Sequence, residues 1–234
     1  MKRSILIFAL IVMGTITGCT DPKKQYGVEQ GVSLQTRKQQ VWAVAPAINL
    51  SGQDYVDPIL QADIVYQQLQ QVRGLTIVPV NRVAEVYSSL RIDRVQSEEQ
   101  ANLVCELLGC DALMVPTITA YDPYNPPKLG AALQLFLKAG GAARPANVDP
   151  RELSRQARGT DTALPANPGF VQVVGMFDAA NGSVRESLAD YARGRSDPMG
   201  PLGQKEYLVN MDRYAGFVYQ SLIIDLLKSE RLRR

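Results

Sequence analysis

Apolar positions along the chain follow two rhythms, and the switches between them lay out the elements. Val41–Pro46 (VWAVAP) is a short, β-branched apolar run, read as a buried strand. Asn49 to Tyr55 is polar and reads as a loop. Asp57-Pro58 then has the form of a helix N-cap followed by the first helical position. Ala62, Val65, Leu69 and Val72 recur at steps of three and four, an apolar helix stripe that Gly74 stops. Leu75–Val80 is a second strand. Asn81 is placed to cap a short helix carrying Val83, Val86, Tyr87 and Leu90 on one face. Ser97-Glu98-Glu99-Gln100 has the form of a capping box. Ala101, Val104, Cys105 and Leu108 share one face of the helix that follows, and Gly109 ends it.

The second half is richer in strands. Cys110–Tyr121 is a third strand, in which Pro116 cannot donate to a ladder and calls for an edge position or a bulge. Asp122-Pro123-Tyr124-Asn125-Pro126-Pro127 is a stiff loop, because proline fixes φ and restricts the residue before it. From Leu129 to Ala139 apolar residues alternate with a mixed face of Lys128, Gly130, Ala132, Gln134, Phe136 and Lys138, which is strand periodicity. Residues 140–168 hold few large apolar groups and read as a mobile insertion. Phe170–Ala179 and Ser183–Tyr191 flank Asn181-Gly182, a strong hairpin signal. After a loop to Gly203, residues 204–230 predict one long helix with Leu208, Met211, Ala215, Val218, Leu222 and Leu226 buried. The order strand, helix, strand, two helices, three strands, helix predicts an α/β fold. Its sheet is mixed parallel and antiparallel, with about five strands and helices packed on it.

The N-terminus changes the picture of where this domain sits. Met1-Lys2-Arg3-Ser4 is positive, and Ile5–Val12 is an apolar run shorter than the roughly 20 residues a spanning helix needs. Ile16-Thr17-Gly18-Cys19 resembles the lipobox of bacterial lipoproteins. The resemblance implies diacylglycerol on the Cys19 thiol, cleavage after Gly18 and an acyl chain on the new amino group. Several chains on one residue give stable membrane anchoring. Thr20 stands where Asp would favour the inner membrane, so the resemblance implies the outer membrane, facing the periplasm. On this reading residues 1–18 are a signal peptide and 19–40 a lipidated cysteine and tether, with a reach on the order of 25 Å. Residues 41–230 are a single α/β domain and 231–234 a basic tail that suits a helix C-terminus.

Composition removes several functions. The 216 residues after Gly18 carry 23 basic and 23 acidic side chains. A nucleic-acid binder would show a basic excess. The chain has no histidine, which removes the commonest general base and metal ligand and excludes Ser-His and Cys-His nucleophile pairs. Beyond the lipid no cofactor or metal is expected. Asp111, Asp122 and Asp178 read as turn and cap residues. Cys105 and Cys110 fit either a disulfide in an oxidising compartment or two separate buried thiols. Tyr121, Asp122, Pro123, Tyr124, Asn125, Pro126 and Pro127 are the candidate partner-binding residues, since tyrosine is favoured at interface hot spots. A rigid turn with its tyrosines packed down fits the same residues.

Several short segments resemble one group of periplasmic lipoprotein domains. They are Val41–Pro46 followed by Asn49, then Asn81-Arg82, then Leu108-Gly109-Cys110-Asp111-Ala112-Leu113-Met114-Val115, and finally Phe177-Asp178-Ala179-Ala180-Asn181-Gly182. The group includes the curli-secretion protein CsgG, the penicillin-binding-protein activator LpoB and the N-terminal domain of TolB. Pro116 and the 140–168 segment depart from its pattern. The resemblance implies a non-catalytic, membrane-anchored envelope protein that binds another envelope protein or its own copies. A subunit of an oligomeric secretion pore, with 129–139 as a tilted membrane strand, is the alternative.

Overall fold

A computed structural model describes residues 39–138 and 170–231, apart from residue 198. The expected signal peptide, Cys19, most of the expected tether, the 140–168 segment and residues 232–234 lie outside the described residues. Strands β1 (Gln40–Val44), β2 (Ile48–Asn49), β3 (Leu75–Val78), β4 (Ala112–Asp122), β5 (Lys128–Leu137) and β6 (Phe170–Asp178) form one sheet. Its order is β3-β1-β4-β5-β6, with β2 continuing beside β4 past the end of β1. The β3-β1-β4 side is parallel and the β4-β5-β6 side antiparallel, so the predicted mixed α/β sheet is observed, with six strands.

Among the described residues six α-helices cover it: α1 (Pro58–Leu69), α2 (Val80–Leu90), α3 (Glu98–Leu108), α4 (Gly182–Ala192), α5 (Glu206–Val209) and α6 (Met211–Arg231). One sheet face buries Trp42, Val44, Met114, Ile118, Leu129, Leu133 and Leu135 against α1 and α6. The other buries Ala43, Leu113, Val115 and Phe136 against Val83 and Tyr87 of α2 and Val104 and Cys105 of α3. Neighbours such as Trp42 and Ala43, Leu113 and Met114, and Leu135 and Phe136 thus face opposite layers.

The caps explain where several helices begin. Asp57 Oδ1 accepts from the Ile59 and Leu60 amides at 2.8 and 3.2 Å. Ser97 Oγ accepts from Gln100 N at 3.3 Å, while Gln100 Oε1 accepts from Gln96 N at 2.8 Å. The box therefore closes one residue further back than predicted. Asn81 is not a cap, because α2 already begins at Val80 behind the extended Pro79.

Two expectations are corrected. Asn181-Gly182 makes no hairpin: Asn181 caps α4, with its Oδ1 accepting from Ser183 N at 3.0 Å. Asparagine serves a tight turn and an N-cap equally well, and here Leu188 and Ala192 find a core to bury in. The last helix is also divided. Asn210 is extended (φ −110°, ψ 110°) between α5 and α6, and its Oδ1 accepts from Asp212 N and Arg213 N.

Pro116 lies inside the sheet. On one side of β4, Met114 O accepts from Ala45 N and Ile118 O from Leu50 N, both at 2.8 Å. Pro116 falls between them, where the neighbouring strand changes from β1 to β2 and no amide is called for. The edge position or bulge expected at Pro116 is therefore corrected: β4 is a central strand, and its register shift falls between Ile118 and Ala120. Both faces of β5 are buried, so the alternation from Leu129 to Leu137 belongs to a core strand between β4 and β6, and Ala139 lies outside the described residues.

Candidate partner-binding surface

The C-terminal ends of β2, β4 and β6 meet at one end of the sheet, beside the starts of α1, α4 and α6. Asn49 organises the loop after β2: its Oδ1 accepts from Ser51 N at 3.0 Å and Ser51 Oγ at 2.7 Å, and its Nδ2 donates to Gln53 O at 2.8 Å. That loop presents Tyr55, which is 60% exposed. Its ring meets the half-buried ring of Tyr121 edge-on, with centroids 5.9 Å apart and planes at 69°, a preferred aromatic geometry. Burial pushes the Tyr121 hydroxyl pKa up, and Asp212 and Tyr55 add to the shift.

The β4–β5 loop is held at both ends. Asp122 Oδ1 accepts from Tyr124 N at 3.1 Å, an Asx-type turn. Pro127 is buried and its carbonyl accepts from Ala179 N at 3.0 Å. Between them Tyr124 is 79% exposed, and Asn125 and Pro126 are exposed beside it, joined by a cis peptide bond. Pro123 is half-buried. Lys128 Nζ lies 2.8 Å from Asp178 Oδ2, bracing β5 against β6 under the loop. The hydrogen bond from Lys128 holds the Asp178 carboxyl below the usual carboxylate range, and the same bond raises the Lys128 ammonium. Leu50, Ile59 and Leu60, on segments adjoining Tyr55, are also exposed.

The predicted residues are therefore split. Tyr124, Asn125 and Pro126 are presented to solvent, whereas Tyr121 and Pro127 anchor the loop. Tyr55 escaped the sequence reading, because nothing in Asp54-Tyr55-Val56 marks its contact with a strand far along the chain. Cys105 and Cys110 sit before the start of β4, at the opposite end from the aromatic patch, and both thiols are buried and unbridged. The acidic residues serve turns and pairs: Asp111 Oδ2 accepts from Val41 N at 2.8 Å, and Asp178 Oδ1 from Ala180 N at 2.8 Å. Among the described residues no three ligating side chains converge, and no helix is long and apolar enough to cross a membrane.

No protein-family model matches the chain, and no curated protein matches it in sequence. Similarity is found among solved structures. The C-terminal domain of LpoB from Salmonella enterica is 13% identical over 49% of this chain and 86% of that one, with a TM-score of 0.36. Lipoprotein GNA1162 from Neisseria meningitidis is 14% identical over 67% and 96%, with a TM-score of 0.37. A PelC dodecamer from Paraburkholderia phytofirmans is 11% identical over 85% and 91%, with a TM-score of 0.36.

Proposed function

We propose that this chain is an exported, non-catalytic lipoprotein, anchored through acyl chains on Cys19 to the outer membrane. Its domain stands in the periplasm on the 19–40 tether. There it binds another protein of the cell envelope through the surface around Tyr55, Tyr121 and Tyr124, as an adaptor or assembly factor. The observation that carries the reading is Tyr124, 79% exposed on a loop tied down on both sides of it. An aromatic side chain already presented by ordered backbone loses little entropy on binding, which favours it as an anchor.

The test is the native mass of the full chain extracted in mild detergent, with companions identified by mass spectrometry. One envelope protein in fixed ratio is expected, lost in a Tyr55→Ala, Tyr124→Ala variant that keeps the parent's unfolding transition. A complex unchanged in that variant would move the partner site elsewhere. Labelling with palmitate in cells tests the anchor, and Cys19→Ser should abolish it.

Self-assembly is favoured by a separate observation. Among the described residues β6 is an edge strand of nine residues without lysine or proline, and it exposes Val174 and Met176. Natural edges usually carry such guards against pairing. A symmetric ring of this chain alone in the same experiment, dispersed by Val174→Lys, would support that reading over the adaptor.

A further inference from the structure

The end of α3 is a Schellman motif made with two cysteines. Gly109 takes the left-handed conformation at φ 65°. Gly109 N donates to Glu106 O at 3.3 Å, and Cys110 N donates to Cys105 O at 3.0 Å. These are the two bonds of the motif, which brings the side chain just past the turn onto the one at the start of the last helical turn. That contact is ordinarily apolar; here it joins Cys105 to Cys110. Both are 1% exposed, within the core formed by α2, α3 and the sheet. The two thiols are close enough to influence each other's ionisation. The neighbouring Cys110 thiol pushes the Cys105 pKa up, with burial adding to it, and Cys105 in turn pulls the Cys110 pKa down.

We propose that Cys105 and Cys110 are a redox pair that closes into a disulfide across the α3 terminus, stapling it to the start of β4. Backbone hydrogen bonds already fix the approach of the two residues, so closure needs no rearrangement of the sheet. The oxidant is a disulfide of the thiol-oxidoreductase or glutathione class. When the α3 terminus opens, the Cys110 thiolate attacks the oxidant's disulfide and expels one thiolate. The Cys105 thiolate then attacks Cys110 Sγ and expels the second. Two protein thiols lose two protons and two electrons, and the oxidant is reduced to two thiols. Where the oxidant is met rests on the export reading above; the chemistry of the pair does not.

The experiment equilibrates the full chain, carrying Cys19→Ser, with glutathione buffers of graded ratio. Bridged and free forms are counted by thiol trapping and peptide mass, natively and in urea. A disulfide stabilises the fold only as far as the fold favours the disulfide. An equilibrium constant for the 105–110 bridge at least about tenfold higher natively than in urea is expected, with a raised thermal midpoint that dithiothreitol reverses. Gly109→Ala, which strains the left-handed position, should shrink the ratio. If that variant does not fold, Cys110→Ser supplies the control, in which Cys105 should yield only mixed disulfides. A native constant equal to or below that in urea would overturn the proposal. So would thiols that stay reduced in a large excess of oxidised glutathione through repeated native-state opening.

Discussion

The hydroxyl of Tyr219 donates to Oε1 of Gln61 across 2.8 Å, joining α6 to α1 inside the core. Both residues are almost wholly buried, so neither partner has water to fall back on. Tyr219→Phe strands the Gln61 side chain and should lower stability by about 1–3 kcal/mol in urea unfolding. Adding Gln61→Leu should recover part of that loss, because removing both partners leaves no orphan. A double variant that is no more stable than Tyr219→Phe alone would show that the pair is not the source.

Gly175 lies on β6 where Leu222 of α6 packs close to the strand. A Cβ there would stand 2.7 Å from Cε2 of Phe177, closer than side chains pack, and 3.0 Å from Cδ2 of Leu222, so both neighbours would have to shift. Gly175→Ala should cost about 1–3 kcal/mol through overpacking, despite the better strand propensity of alanine. Trimming the neighbour with Leu222→Ala in the same chain should make the two losses less than additive.

Arg91 ends α2 in the left-handed region at φ 55°, where glycine would be free of strain. Its neighbours repeat the hydrogen bonds seen after α3, with Arg91 N donating to Ser88 O and Ile92 N to Tyr87 O. Arg91→Gly should raise stability by roughly 0.5–1 kcal/mol, less than the full strain, because glycine also frees the unfolded chain. The shift of the urea midpoint at constant slope reads it directly.

Alkali should unfold the domain through its tyrosines. Burial raises the hydroxyl pKa of Tyr87, Tyr191, Tyr214 and Tyr219, and of Tyr121 at the aromatic patch. A raised folded pKa contributes stability that is complete below the ordinary tyrosine pKa of about 10. It is lost as pH climbs from there toward the folded values. Ionisation followed at 295 nm should therefore coincide with loss of far-ultraviolet signal above pH about 10. Separate transitions, with these tyrosines ionising in a folded chain, would contradict the burial.

Periodicity revealed most of the architecture because the amphipathic elements stand against one layer each. The stripe of Ala62, Val65 and Leu69 and the Ser97 cap have one physical meaning, and the structure keeps it. Asn181-Gly182 has two meanings, turn or cap, and only the core that receives Leu188 decides between them. Asn210 divides the last helix by the same chemistry, hidden in a stripe that runs on without interruption from Leu208 to Leu226. At the candidate surface, the prolines of 123–127 announce a stiff loop from sequence alone. Tyr55 could not be paired with Tyr121 that way, because the contact depends on where β2 lies beside β4. The same holds for β5, whose mixed face is buried by neighbours that no local pattern reveals.

The most direct test of the binding surface is photo-crosslinking in living cells from an unnatural aromatic residue placed at Tyr124, with Glu85 on the exposed face of α2 as the control position. The account predicts one defined adduct from position 124, absent from position 85, whose second component is another envelope protein and which disappears on Tyr55→Ala. Adducts of equal yield from both positions, or none from 124 while 85 captures the companion, would contradict it.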